Sequence, residues 1–360
     1  MIRSVLLGLV VGGVFLTLAL WGVPLDGLRD AFERMAWTPL LPITLAFAAQ
    51  YAIRAWRQLV MTRALAPGAT FRTQLSILVV GFFCVNTFPM RLGEAVRPYL
   101  FYERLGIPLG AGFGLVFAER VLDLLALFLT LLGVIFWVDV PDRRIELAGR
   151  SLSLVELGRG TAIAVLVPAL AVVGGLALLG PTALRIGRRT AGALETRLPA
   201  PALHRVLRFA LRFAESFVEG IRTLRSPGRL LAAAALTVAL FASMGIMMVF
   251  LARAFQLDEV IGFGEGMGVL AITMLGIALP APPGFAGVFE AAARGGLSLF
   301  GVHDPGRALA FALLFHWWPL LLLIASGAFF LWRDRIGLGR LFRFARGGSA
   351  PPAGAAARSD

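Results

Sequence analysis

The sequence predicts an all-α polytopic membrane protein with about six full spans and two re-entrant helical hairpins. The hairpins enter from opposite faces, in the manner of an inverted repeat. Three observations predict this. The 360 residues are 58% hydrophobic, with a mean hydropathy of +0.82. Only 15% are charged, against about 25% in a soluble domain. The apolar residues also fall in runs of about 20, the length that crosses about 30 Å of hydrocarbon.

Taken in order, residues 1–23 begin Met1-Ile-Arg and stay apolar to Val23. No small-x-small cleavage site is evident near Trp21-Gly22, so this reads as a retained first span over 4–23 and not a signal peptide. Further spans are predicted at 40–60, 112–137, 161–180, 230–252 and 307–332. Two apolar segments, 74–88 and 266–280, are shorter. Each ends in a proline-containing break and is followed by another short helical segment.

Loop charges orient these spans. Arg54, Arg57, Arg63 and Arg72 read as a basic cluster at and beyond the end of the second span. Segment 182–229 holds ten arginines against three glutamates, and the end of the chain is basic again. The loop at 139–160 is balanced, and the short loop with Asp258, Glu259 and Glu265 is acidic. Positive-inside logic places both termini, 61–73 and 182–229 in the cytoplasm of a plasma-membrane protein. Region 74–110 must then begin and end inside, and 266–305 must begin and end outside. Each limb is only about 12–17 residues and is interrupted by Pro or Gly, so a re-entrant hairpin fits better than two thin spans. Both breaks read from proline to glycine to glutamate: Pro89 to Glu94, and Pro280 to Glu290. Broken helices in two halves that meet near the midplane are a mark of inverted repeats.

Residues 202–224 differ. Leu203, Val206, Ala210, Phe213, Phe217, Ile221 and Leu224 recur at helical spacing, with arginines and glutamates on the other face. This predicts an amphipathic helix on the inner leaflet, in preference to one packed on a partner. Residues 1–346 form a single transmembrane unit, and 347–360 read as a disordered tail.

The chain has no lysine, and its arginines lie between apolar spans as topology signals, which argues against nucleic-acid binding. Cys84 is the single cysteine, and His204, His303 and His316 are too scattered for a zinc motif. No catalytic triad order, Walker loop or nucleotide fingerprint is present. No catalytic residue, no metal and no cofactor is therefore expected, and the chain is not expected to be an enzyme.

The candidate site is ionic. Arg91, Glu94, Arg97, Glu119, Arg120 and Asp123 sit among membrane-length apolar runs. A charge at the bilayer centre costs about 2.5–3.5 kcal/mol even on the mildest scale, so such groups face a bundle interior or a cavity. Glu94 lies three residues from both Arg91 and Arg97 and can pair with either on a helix. Glu119 and Asp123 are one turn apart, and Arg120 and Asp123 are near neighbours. One reading is a set of internal ion pairs that fixes packing. The other is a site for phosphate, held by arginine forks and by the free N–H groups of short helices starting at Pro89 and at Pro283-Gly284. Gly287 allows either close backbone approach or tight helix packing. His316, beside Trp317 and Trp318, reads first as a structural hydrogen-bond partner.

Three ordered motifs resemble a known family. Asn86-x-x-Pro89-x-Arg91-Leu-Gly-Glu94-x-x-Arg97, then Glu119-Arg120-x-x-Asp123, then Pro282-Pro-Gly284-x-x-Gly287-x-x-Glu290 are similar to the flippase-like transmembrane region of lysylphosphatidylglycerol synthases. The resemblance covers most of residues 5–335. It implies movement of a lipid between leaflets. The chain ends soon after its last span, so a stand-alone member without the synthase domain is expected. The lipid itself does not carry over.

The expected function is thus translocation of a phosphate-bearing, aminoacylated or glycosylated lipid through a polar mid-membrane cavity. Arg91, Arg97 and Arg120 would hold phosphate. Glu94, Glu119 and Asp123 would orient them or take a cationic moiety. The expected partner is a membrane lipid, either an anionic phospholipid or a polyprenyl or glycolipid, with a second copy of the chain or a lipid-modifying enzyme as further partners. Two rivals are a membrane-embedded transferase acting on lipid headgroups or lipid-linked sugars, and a non-catalytic partner of such an enzyme.

Overall fold

The computed structural model describes residues 24–88, 93–138, 201–277 and 283–346, together with 144–147, 150–153 and scattered positions at 17 and between 160 and 190. The spans expected at 4–23 and 161–180, the tail at 347–360, and Pro89 and Arg91 lie wholly or largely outside these residues.

The described helices are α1 (Leu25–Glu33), α2 (Leu40–Thr62), α3 (Phe71–Thr87), α4 (Val96–Leu105), α5 (Leu109–Trp137), α6 (Pro201–Arg222), α7 (Pro227–Ala254), α8 (Phe263–Gly276), α9 (Val288–Leu299), α10 (Pro305–Arg333) and α11 (Leu338–Ala345). A two-stranded antiparallel ribbon, β1 (Arg144–Leu147) and β2 (Arg150–Ser153), follows α5. Helices α5, α7 and α10 are long and apolar enough to cross a membrane, and α3 and α8 are shorter apolar helices. The protein is an all-α polytopic membrane protein.

Local signals set the boundaries. Thr70 caps α3 by accepting a hydrogen bond from the Thr73 amide at 3.3 Å. Gly106, in the left-handed conformation, ends α4. Asp304 caps α10, with Pro305 at its first position. Helix α2 is 23 residues long, but its second half carries Gln50, Arg54, Arg57 and Gln58, which lowers its mean hydropathy.

Two four-helix halves share one pattern. Helices α2 to α5 have 23, 17, 10 and 29 residues, and α7 to α10 have 28, 14, 12 and 29. The leading helices of the halves pack antiparallel. The Ala36 amide, just before α2, bonds to the Ala254 carbonyl at 2.9 Å, and Arg57 reaches Thr237 at 2.8 Å. Equivalent helices therefore run in opposite directions, so the repeat is inverted.

The short pairs are helical hairpins from opposite ends. Arg104 of α4 donates to Ser76 of α3 at 2.8 Å and to Asp334 at 2.9 Å. The outer ends of α3 and α4 thus meet beside the C-terminus of α10. In the other half, Gly276 faces Ala292, Gly296 faces Val269, and Gly264 lies against Val138 at the far end of α5. Helices α8 and α9 are therefore antiparallel and rooted at the opposite end. The turns meet inside, where Gly284 lies against the Asn86 carbonyl and Leu320. Leu320 is near the middle of α10, about 20 Å from either end at 1.5 Å per residue.

Close approach is built on glycine. A Cβ on Gly93 would sit 2.2 Å from the Val85 amide nitrogen, and one on Gly81 would sit 2.2 Å from the Arg97 stem. Gly93 therefore lets the turn at 93–95 lie on α3, and Gly81 leaves room for the Arg97 side chain to pass.

The amphipathic segment forms as α6, but its surroundings differ from expectation. Phe213 meets Phe113 and Phe217 meets Phe117, with ring centroids 5.9 and 5.7 Å apart. A Cβ on Gly114 would sit 2.2 Å from the Phe217 carbonyl oxygen. Small residues on α5 admit the α6 backbone, so from Phe213 to Ile221 the face assigned to the inner leaflet is in large part covered by α5.

The arginine-rich end carries a latch. Asp334 accepts from Arg104, Ser76 and Arg333. Burial alone would raise its carboxyl, but the hydrogen bonds from Arg333 and Ser76 and the charge of Arg104 bring it from the ordinary 3.8 to about 2. Its folded pKa is depressed, so its contribution is fully present above about 4 and is lost as the pH falls towards 2. Asp334→Asn is expected to lower stability by about 1.5–3 kcal/mol at pH 7, with the difference from wild type closing below pH 4. Thermal unfolding of the two proteins across pH 2–7 checks this.

Candidate functional site

The site is assembled where both hairpin turns meet α2, α5 and α10. Helix α2 sends Arg54, Arg57 and Gln58 inward; Arg57 and Gln58 lie three and four residues after Arg54, so they share one face of the helix with it. Helix α5 sends Glu119, Arg120 and Asp123. The turn before α4 supplies Glu94, and α4 supplies Arg97.

These groups pair between helices. Arg57 lies 2.6 Å from Asp123 and Arg54 lies 3.5 Å from it. Arg97 lies 2.6 Å from Glu119 and also donates to Gln58. Gln58 donates to Gln74 at 2.5 Å, and Gln74 to Thr62 at 2.9 Å. Arg120 meets Glu94 at 3.3 Å. The Cζ atoms of Arg54, Arg97 and Arg120 all lie 5.5–5.7 Å from the Phe82 ring centroid, within cation–π range.

Two of the ion pairs are unlike. Arg97 and Glu119 are 2% and 6% exposed, with short contacts. Arg120 and Glu94 are 38% and 37% exposed, with a long contact. The first pair is a buried strut and the second is loose and accessible. Among the described residues, four arginines (54, 57, 97, 120) face three carboxylates (Glu94, Glu119, Asp123), so the cluster carries one surplus positive charge.

A cavity of about 350 Å³ opens at the loose pair, lined by Arg54, Glu94, Arg120, Asp123 and Leu124 among others. A second chamber of about 200 Å³ continues towards Tyr51, Met247, Phe289 and His316. Both are lined by Arg54, Phe82, Asn86, Met244, Met274 and Phe285. Both chambers are largely apolar, and the first carries the charged groups Arg54, Glu94, Arg120 and Asp123 on its wall. Asn86, whose side chain donates to the Phe82 carbonyl at 2.9 Å, stands between them.

The second turn closes on itself. Gly284 and Gly287 have φ of 71° and 83°, values that side-chain-bearing residues rarely adopt. The Gly287 amide donates to Glu290 Oε2 at 2.7 Å. Glu290 Oε1 is 2.7 Å from His316 Nδ1 and accepts from Trp317 Nε1 at 2.9 Å. His316 stacks on Phe289 with centroids 4.3 Å apart. Glu290 and His316 are both buried.

Several expectations are corrected. Among the described residues Glu94, in a 3-10 turn ahead of α4, pairs with Arg120 of α5 and not with Arg97. Arg97 does not line either cavity; it is consumed by Glu119 and Gln58. Helix α9 starts at Val288, not at Pro283, and its own Glu290 accepts from the Gly287 amide, which puts a carboxylate at the N-terminus where a phosphate was expected. Arg54 and Arg57 are not loop signals but site residues. A polar stripe of Gln50, Arg54, Arg57 and Gln58 at helical spacing within a span-length segment was the signal for them. Gln74, Thr237 and Phe82 carried no such signal: Thr237 and Phe82 do not stand out within apolar runs, and Gln74 lies in the polar start of α3. Arg91 lies outside the described residues.

The family model for the lysylphosphatidylglycerol synthase TM region matches residues 5–327. Among characterised relatives, a protein named glycosyltransferase AglD from Haloferax volcanii is 26% identical over 258 residues, which cover 69% of this chain and 40% of that protein. The chain thus spans well under half the length of that relative. No solved structure matches the chain.

Proposed function

The chain belongs to the family of lysylphosphatidylglycerol synthase transmembrane regions, and on this premise we propose that it moves a lipid with an anionic headgroup between leaflets. The observation that carries this reading is the surplus positive charge at a mid-depth cavity. A buried excess cation is costly unless an anion joins it, and a phosphate supplies that anion in bidentate form. Arg120 gives up its long contact to Glu94 and takes the phosphate, with Arg54 opposite. Arg57 and Asp123 hold Arg54 in place. Asp123 and Glu94 are left to take a cationic part of the headgroup. The acyl chains stay beside Leu124, at the exposed edge of the cavity.

In this reading the hairpins are re-entrant in the bilayer, the arginine-rich end faces the cytoplasm of a plasma membrane, and the inverted halves offer the cavity to either side. Cysteines placed at 103–110 and at 300–306, in a background without Cys84, are expected to react with impermeant reagent from opposite faces of the membrane. Reaction of both sets from one face would end the model of opposed hairpins.

The named relative favours a second reading, in which the chain serves a lipid-linked sugar transferase. The larger part of that relative lies outside the match and is the more economical home for a transferase activity. A proteoliposome assay separates the readings. A phosphatidylglycerol labelled at its headgroup is expected to exchange leaflets only with protein present, as read by impermeant quencher. Product formation with no leaflet exchange would favour the transferase.

A further inference from the structure

A third cavity lies apart from the mid-depth chambers, at the arginine-rich end. It measures about 750 Å³ and lies between the first turn of α5, one face of α6 and the side chains of Leu184, Arg185 and Arg188. Its walls carry Arg185, Arg188, Arg212 and Arg222 against Glu215 and Glu219. Arg188 and Glu215 answer each other at 2.5 Å, and the hydrogen bond from Arg188 holds the Glu215 carboxyl below its usual range. Glu219 is then the counter-charge in the cavity wall for three further arginines.

Apart from Ser216 the rest of the lining is apolar, with Leu109, Leu184, Phe209 and Phe213 its largest side chains. Phe209 is 71% exposed, next to guanidinium groups. Such a surface suits a ligand that is anionic at one end and hydrocarbon at the other. An acidic peptide or a nucleic acid would meet the arginines and leave Phe209 and Leu184 uncovered. Depth points the same way. Helix α5 has 29 residues and is therefore about 43 Å long, more than the roughly 30 Å hydrocarbon core. A helix of that length carries its first turn, where this cavity lies, to headgroup depth.

We propose that this cavity binds one anionic phospholipid, with its phosphate among Arg185, Arg212 and Arg222 and an acyl chain along Phe209 and Phe213. It is a site distinct from the mid-depth cavity and does not depend on lipid movement through it.

The test uses the full chain carrying Arg120→Ala, so that the mid-depth cavity cannot account for the signal. Short-chain phosphatidylglycerol is titrated into the protein in phosphatidylcholine nanodiscs, and bound lipid is counted by native mass spectrometry. One saturable equivalent is expected. Arg185→Gln, Arg212→Gln and Arg222→Gln together are expected to weaken it by at least about tenfold, since each basic residue near an anionic surface is worth roughly fivefold. Lysine at the same three positions should keep most of the affinity. Phe209→Ser should weaken the lipid while leaving the arginines in place. Unchanged affinity in the triple glutamine variant, or equal retention of phosphatidylcholine, would overturn the proposal. Displacement by excess inorganic phosphate would assign the cavity to a free anion instead of a lipid.

Discussion

Replacing Arg97 with alanine is expected to destabilise the protein by about 3–5 kcal/mol, the usual result of removing one partner from a buried pair. Glu119 would stay 6% exposed with its charge unanswered. Gln58 would lose the guanidinium that it accepts from, and Gly81 would face an empty channel where the Arg97 stem now passes. The protein should accumulate poorly in the membrane, and its unfolding midpoint in detergent should fall. Replacing both members, Arg97→Met with Glu119→Leu, should recover much of the loss, because apolar residues of similar volume need no desolvation. If the single variant is as stable as wild type, this pair is not the strut that its burial indicates.

Replacing Arg120 with alanine should act in the opposite way. Its contact to Glu94 is long and more than a third exposed, so stability should change by no more than about 1 kcal/mol. Lipid exchange between leaflets should fall by about 10–100-fold, the effect of losing one charge-assisted hydrogen bond of about 1.5–3 kcal/mol. Arg54→Ala should act likewise, because Arg54 lines both chambers. Lysine at either position should rescue only in part, since an ammonium has no bidentate fork. The comparison with Arg97 is the informative one: one arginine should govern folding and the other transport. Full exchange by a folded Arg120→Ala protein would place the anion site elsewhere.

The long elements were legible because hydrophobic run length alone sets them. The helices found at Leu40–Thr62, Leu109–Trp137, Pro227–Ala254 and Pro305–Arg333 match the predicted spans to within a few residues. The two broken pairs were legible because proline and glycine interrupt short apolar runs. Arg54 and Arg57 were misread because the rule that counts arginines near span ends cannot tell one that leaves the helix from one that turns inward.

By itself, then, the sequence determined that this is a polytopic helical membrane protein of two broken-helix halves, with a charged cluster around Glu94, Glu119 and Asp123. Those features are set by local quantities, namely apolar length, residues that interrupt helices, and the cost of charge in hydrocarbon. Only the tertiary structure decided which charges are spent and which are available. Pairing within a helix depends on sequence separation, but Arg97 with Glu119, Arg120 with Glu94, and Arg57 with Asp123 are set by how α2, the turn before α4, α4 and α5 pack. The same holds at Glu290. Its position after Gly287 makes it a capping residue on its own helix, while its bonds to His316 and Trp317 depend on where α10 crosses.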